Sequence, residues 1–389
     1  MLAYRAEVFE ERLWGDRRQQ EVLVLRKEAT LSTWQERQVA IQQGGVGVWA
    51  RVEEAMKYRG TTPPFRGPDG KILPNSIAEI AYLRLGEFDQ WVMIRGENLA
   101  NPVLILLHGG PGFPEMRLFR TFNAVLEQQY TVVYWMQRGT SKSFDRHMPA
   151  SSLTIERFIA DLDELVEIIR ARFGKQKVAL YGHSWGSVLG ILYTERFPEK
   201  VAAYVGTGQI GEWAAFEIAS YQFILAEAER RGHRKAIREL RAIGPPPHAF
   251  WDMVVERKWI TRFVSVVRGM SLLRFTRITL GGPEASILDL PNILLSQLVT
   301  PKLMWQELIR VNLINSAPAL QIPVFFFLGR HDRVVIPETS LAYFDVLRAP
   351  SKTLIWFEES GHEPPTEEPE KFNRLMDEMV RPVALASSA

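Results

Sequence analysis

An α/β fold built on an eight-stranded, mostly parallel sheet is predicted by three features of the chain. From residue 78 onwards, strand-like apolar runs alternate with helical patterns, the rhythm of βαβ units. The later runs are continuously apolar, as strands buried on both faces of a parallel sheet must be. Between the sixth and seventh of them the chain inserts roughly 110 residues of helical pattern, too long a stretch to be a structureless loop.

Residues 1–75 stand outside this rhythm as an N-terminal extension. Tyr4 to Arg37 is dense in Arg, Glu and Gln with interspersed Leu, Val and Trp, which suggests moderately amphipathic helices, although Val22–Leu25 also reads as a short strand. Gly44–Gly47 breaks the pattern, a helix is expected over Val48–Tyr58, and Thr62–Gly70 reads as a Pro/Gly linker. Glu79–Leu85 and Gln90–Arg95 alternate and are joined by Gly86-Glu87, the signature of an antiparallel hairpin. Six buried runs follow: Val103–Leu107, Thr131–Trp135, Val178–Tyr181, Val201–Gly206, Val324–Leu328 and Thr353–Phe357. A helix is expected over Ile155–Phe173, with Thr154 as N-cap and Gly174 closing it. The core is thus assigned to 76–206 and 319–389, and 207–318 to a helical cap over the carboxyl edge of the sheet. Its expected helices are Glu212–Arg231, Lys235–Ala242, His248–Met270, Ala285–Leu298 and Pro301–Val311. Most of its aromatic residues pack its core, and a few are expected to line an apolar pocket.

The chemistry begins at Gly182-His183-Ser184-Trp185-Gly186, directly after the run Lys177–Tyr181. This is G-x-S-x-G at a strand-to-helix junction, a nucleophile elbow. Its glycines let the backbone turn where a Cβ would strike a neighbour. The helix starting at Ser184 would turn its positive end towards a developing oxyanion. Upstream, Pro102–Leu107 ends in His108-Gly109-Gly110-Pro111-Gly112. A loop of this kind after the third strand supplies one backbone N–H to an oxyanion hole, and the residue after the nucleophile, Trp185, supplies the other. Donors fixed where negative charge develops are worth about 2.7–4 kcal/mol each.

Two further strands deliver polar residues at their carboxyl ends: Asp332 in Gly329-Arg330-His331-Asp332, and His362 in Gly361-His362. The order Ser184, Asp332, His362 is the chain order of α/β-hydrolase triads. His362 is expected to take the serine proton and return it to the leaving group, and Asp332 to hold the imidazole tautomer. Asp345, Glu358 and Glu359 are the alternative acids. His183 and His331 flank the nucleophile and the acid without serving as base; His108 belongs to the oxyanion loop, and His147, His233 and His248 lie in polar or cap segments.

Composition narrows the field. Hydrophobic residues at 46% and charged residues at 24% are ordinary for a globular protein, and a net charge of +2 gives no field that would recruit nucleic acid. The absence of cysteine excludes disulfides, thiolate metal sites and a cysteine nucleophile. Neither a Gly-rich phosphate loop nor a metal-ligand cluster is apparent, so no cofactor and no metal are expected. The first residues lack a secretory h-region, and no apolar stretch reaches the ~18–20 residues of a membrane span, so a cytoplasmic protein is expected. The expected partner is a small-molecule or short-peptide substrate. Oligomeric state stays open, with the extension as one route to a homo-oligomer.

On His108–Gly112, Tyr134-Trp135-Met136-Gln137-Arg138-Gly139, Gly182–Ser187 and Gly361-His362, the chain resembles the proline iminopeptidase group of α/β-hydrolases. The resemblance covers about Pro68 to the C-terminus. It implies a serine peptidase or esterase with a helical cap and no metal, with Ser184 as nucleophile, Asp332 as acid, His362 as base, and Gly110 with Trp185 as oxyanion donors. The group usually has Asp-Gln-Arg-Gly where this chain has Met136-Gln137-Arg138-Gly139, and it binds the substrate's ammonium through cap glutamates in a Trp-Glu-Gly type sequence absent here. Glu212 and Glu217 are the candidate stand-ins, with Gly109 beside the substrate. Release of an N-terminal proline or small residue is therefore the leading expectation, an esterase or lactonase of small apolar esters the alternative, and an idle scaffold used for binding the third.

Overall fold

The computed structural model describes residues 60–387 except 265 and 266, within one compact unit running from Ala55 to Ala389. The extension's expected helices and the alternative strand at Val22–Leu25 lie outside the described residues. Eight strands form one sheet: β1 (Ile77–Leu85), β2 (Phe88–Gly96), β3 (Val103–Leu107), β4 (Thr131–Trp135), β5 (Val178–His183), β6 (Val201–Thr207), β7 (Val324–Gly329) and β8 (Lys352–Phe357). Their spatial order is β1-β2-β4-β3-β5-β6-β7-β8. The β1–β2 hairpin and the β2–β4 pairing are antiparallel, and every pairing from β3–β4 onwards is parallel. Every residue of β3 and β4 is buried, which is why their sequences are unbroken apolar runs rather than alternating ones.

Helices cover the sheet. Those of the first half are α1 (Met116–Asn123), α2 (Ile155–Phe173) and α3 (Trp185–Arg196). In α2 the Thr154 side chain accepts from the Arg157 N–H, and Gly174 ends the helix at φ 61°, a conformation that disfavours any residue with a Cβ. Its Phe158, Ile159, Leu162, Leu165, Val166 and Ile169 form the buried stripe.

Between β6 and β7 lie α4 (Trp213–Arg230), α5 (Arg234–Ile243), α6 (Phe250–Phe263), α7 (Leu272–Leu280) and α8 (Leu290–Leu308). Two differences from the sequence reading have physical causes. The helices expected either side of Pro301 are one helix, α8, because its buried stripe of Ile293, Ser296, Thr300 and Met304 runs straight through the proline. The expected helix ending at Met270 stops at Phe263, and α7 is separate, started by Ser271, whose side chain accepts from the Arg274 N–H.

The insertion is pinned to the sheet layer from several directions. Buried Glu284 pairs with Arg117 and Arg120 of α1. Ser296 Oγ donates to Gly112 O over 2.9 Å, and Thr300 Oγ1 donates to Gly139 O over 2.6 Å. Among the described residues, no helix is long and apolar enough to cross a membrane.

Candidate active site

Four strand ends converge because parallel strands present all their carboxyl ends on one side. In register, Leu107 sits beside Gly182, His183 beside Thr207, and Gly329 beside Phe357. The loops leaving these positions carry His108–Gly112, Ser184, Asp332 and His362.

Ser184 occupies the turn between β5 and α3 with φ 52° and ψ −117°, a backbone region that L-residues rarely adopt. Its N–H donates to Thr207 O over 3.0 Å, tying the turn to β6. The turn is possible because Gly186 is bare: a Cβ there would lie 1.9 Å from Leu107 O. Trp185 is the first residue of α3, so its N–H has no intrahelical partner.

Gly109 and Gly110 divide their roles. The Gly109 N–H is spent on Glu115 Oε1 at 2.9 Å, whereas the Gly110 N–H makes no hydrogen bond among the described residues. Gly109 also lies against Ser184, where a Cβ would come within 3.1 Å of the serine Cβ. The loop is framed by Gln137, which donates to His108 O at 3.1 Å and accepts from Trp185 Nε1 at 2.9 Å. His108 Nε2 accepts from the Gln137 N–H, which leaves Nδ1 to donate to Gly109 O. Burial lowers this histidine's pKa, in keeping with a neutral ring.

His362 Nδ1 lies 2.8 Å from Asp332 Oδ2. The second carboxylate oxygen of Asp332 accepts the Val334 and Val335 N–H groups at 2.8 and 3.0 Å, so the acid is held rigidly behind the ring. Of the alternative acids, Glu358 pairs with Arg330 at the surface. The His362 loop is anchored by Glu367, whose oxygens accept the Gly361 and Arg268 N–H groups; burial pushes this carboxyl up to about 7.

A second layer escaped the sequence reading. The oxygen of Glu115 that takes the Gly109 N–H also lies 2.7 Å from His183 Nδ1, and His183 Nε2 lies 3.0 Å from His362 O. Burial alone would lower the His183 pKa, but the Glu115 and Glu363 carboxylates outweigh it and raise it to about 10. Glu363 moves the other way from an ordinary acid, pushed up to about 8 by burial. The only hint in the sequence was an acid, Glu115, in an otherwise apolar segment just after the glycine loop.

The insertion contributes a third cluster. Glu217, on α4, is buried and shares Arg257 of α6 with buried Glu256. His248 Nε2 donates to Gly244 O over 2.9 Å, while Nδ1 lies 3.1 Å from Glu256 Oε2. Burial would lower this ring's pKa, but Glu256, the Gly244 carbonyl and Glu217 outweigh it and raise it. That Nδ1, Glu217 Oε2 and Glu256 Oε2 lie within 4.8 Å of one another, and no other group among the described residues donates a hydrogen bond to either oxygen. Burial pushes the Glu217 carboxyl above its ordinary range, with Arg257 pulling against it. The cluster adjoins the acid's loop: Arg257 Nη1 donates to Ser220 Oγ at 3.2 Å, and Ser220 Oγ donates to Arg333 O at 3.4 Å. Glu212, by contrast, precedes α4 on a bridge to Asn312 and does not belong to the cluster.

Both His/Glu clusters have donor types that bind metals. Around Glu115 the fit fails, because both ring nitrogens of His183 already face acceptors.

Comparison with known proteins agrees with this architecture. Residues 102–228 match the family model of the alpha/beta hydrolase fold. A probable aminopeptidase, YbaC, of Bacillus subtilis is 33% identical over 312 residues, 79% of this chain and 97% of the relative. The proline iminopeptidase of Heyndrickxia coagulans is 23% identical over 298 residues, 74% of this chain and 93% of that protein. The crystal structure of a proline iminopeptidase from Mycobacterium smegmatis superposes with a TM-score of 0.59 at 18% identity, covering 80% of this chain and all of that one, a likeness of fold. The strand order, the strand-end loops and these relatives lead to one assignment: the chain is a hydrolase and belongs to the proline iminopeptidase-like family of α/β-hydrolases.

Proposed function

We propose that the protein is a serine aminopeptidase that releases an N-terminal proline or small residue through an acyl-enzyme. In this reading Ser184 attacks the scissile carbonyl, and His362 takes its proton through Nε2, the nitrogen left free by the Asp332 hydrogen bond. Ser184 Oγ has no hydrogen bond among the described residues; contact with His362 forms once substrate is bound, as catalytic hydrogen bonds often tighten only then. The tetrahedral oxyanion is held by the Gly110 and Trp185 N–H groups. His362 then returns the proton to the leaving amine, and water repeats the sequence to free the acid.

The observation that carries the amino-terminal specificity is the buried trio Glu217, Glu256 and His248, in which Glu217 Oε2 and Glu256 Oε2 accept no hydrogen bond from any other described residue. Arg257 occupies one oxygen of each carboxylate, and the two remaining oxygens can accept N–H bonds from a substrate ammonium that takes the place of the His248 contact. The insertion acts as a cap that brings this trio beside the acid's loop, with Glu217 as the principal reader. Glu212 takes no part. The esterase reading keeps the same catalytic residues and is favoured by Arg257, which already occupies one oxygen of each carboxylate.

The deciding experiment compares prolyl, alanyl and N-blocked prolyl anilides with p-nitrophenyl acetate and butyrate, using S184A as blank. Fast cleavage of the free prolyl anilide is expected, abolished by N-blocking. In E217Q, KM for the free-amine substrate should rise by about 10- to 100-fold, the worth of one charged hydrogen bond. Ester cleavage with no anilide turnover in the wild type would replace the aminopeptidase reading with the esterase one.

A further inference from the structure

We infer that Glu115 and His183 are positioning residues, a buried carboxylate and imidazole that fix the His108–Gly112 loop, the Ser184 turn and the His362 loop against one another. The inference deepens the serine-hydrolase reading above and rests on it for its kinetic consequence. Its geometry is independent of that reading. One oxygen of Glu115 receives both the Gly109 N–H at 2.9 Å and His183 Nδ1 at 2.7 Å. The opposite ring nitrogen, Nε2, reaches the His362 carbonyl oxygen at 3.0 Å. A carbonyl oxygen only accepts, and an ionised carboxylate only accepts, so both ring nitrogens must carry hydrogen. His183 is therefore an imidazolium with Glu115 as its counter-ion, in a place with almost no solvent contact.

Its position makes this pair more than a packing detail. His183 is bonded directly to Ser184 in the chain, Gly109 precedes the free Gly110 donor, and His362 is the proposed base. One ion pair thus spans three loops that leave three different strands. Rings of His183 and His362 also pack with centroids 4.6 Å apart. Catalytic geometry tolerates little error, and a misplacement of about 1 Å costs on the order of 100-fold in rate. The groups facing the pair are Glu363, with Oε1 3.8 Å from His183 Nδ1, together with His108, Tyr181 and, through Glu363, Asp332 and Glu367. Glu363 is the second, more distant counter-charge: burial pushes it up to about 8, so it joins Glu115 fully only above that pH.

The test uses Glu115→Gln, which preserves shape and removes the counter-ion. Without it, Glu363 alone opposes burial, so the His183 pKa falls from about 10, and the ring gives up a proton and drops one of its two bonds at a lower pH than in the wild type. With p-nitrophenyl acetate, and active sites counted by a serine-reactive fluorophosphonate, kcat of E115Q should match the wild type within a few-fold at pH 6. It should lie roughly 10- to 100-fold lower at pH 9, with KM nearly unchanged. His183→Gln, which offers fewer donors at every pH, should lose kcat without the pH dependence. In parallel, NMR of 15N-histidine-labelled protein should show two ring N–H signals for His183 from pH 6 to 9, reduced to one in E115Q at the upper end.

A wild-type-like pH profile in E115Q, or a single ring N–H in the wild type at pH 7, overturns the inference. A loss of equal size at all pH values, accompanied by a lower Tm, assigns Glu115 to packing and overturns it as well. Failure of the wild type to react with fluorophosphonate would count against the serine mechanism instead, and the NMR result then decides the ion pair by itself.

Discussion

His362 and Asp332, 30 residues apart, meet through a 2.8 Å hydrogen bond from ring Nδ1 to a carboxylate oxygen whose partner oxygen is fixed by two backbone N–H groups. Asp332→Asn keeps an oxygen for those N–H groups but sets an amide against the ring and favours the wrong tautomer. A fall in kcat of about 10⁴-fold with little change in Tm is expected. Steady-state kinetics and a thermal melt check this together; a fall below roughly ten-fold would assign the acid's role to another residue.

Ser184 holds its side chain up at the cost of an unfavourable backbone, φ 52° and ψ −117°. Ser184→Ala and Ser184→Gly should both abolish turnover. Glycine relieves the steric conflict that alanine retains, so S184G is expected to be more stable than S184A by about 1 kcal/mol. Denaturant midpoints of the two variants decide the matter, and equal midpoints would mean that the turn is not strained.

Arg138 and Asp161 form a fully buried ion pair behind the Gln137 frame, with Arg138 Nε and Nη2 donating to the two oxygens at 2.7 and 2.9 Å. Removing Asp161 leaves the Arg138 guanidinium without compensation in a dry place, whereas Arg157, the other partner of Asp161, keeps Glu164. Asp161→Leu should therefore cost about 3–5 kcal/mol, whereas Arg138→Met with Asp161→Leu should recover much of it. Urea unfolding of the single and double variants forms the cycle, and additivity would sink the argument.

Stability should fall on the alkaline side. Burial raises Glu367 to about 7 and Glu363 to about 8, so the folded form binds protons more tightly than the unfolded chain. For such acids the stabilisation is full below the ordinary value of 4.5 and drains away as pH climbs through those figures. His183, raised from 6.5 to about 10, contributes in the same sense: full below 6.5, lost by the time pH passes 10. Tm should decline steadily between pH 7 and 10, and less steeply in H183Q. A Tm that rises over that range would contradict these assignments.

Much of the core was legible because each element obeys a single strong rule. Unbroken apolar runs located β3 to β8, Gly86-Glu87 marked the hairpin, and Thr154 with Gly174 bounded α2. Ser184, Asp332 and His362 stand out as candidates because they follow strand ends in a known order, and the structure brings the last two within 2.8 Å. What stayed hidden depends on contacts between segments far apart in sequence. Glu115 and His183 are separated by 68 residues, and Glu217 and Arg257 by 40, so nothing local distinguishes them from solvated charges. Glu217 was singled out, but not its partners His248, Glu256 and Arg257. The break expected at Pro301 failed for the related reason that a buried stripe outweighs one missing backbone donor.

The bonds from α8 to the Gly112 and Gly139 carbonyls also bear on how this scaffold can be re-engineered. Ser296 and Thr300 hold the backbone of the two loops that frame Ser184, so the inserted helices help to set the geometry around the candidate nucleophile. Grafting an insertion from a relative would change turnover number together with substrate preference, unless donors at positions 296 and 300 travel with the graft.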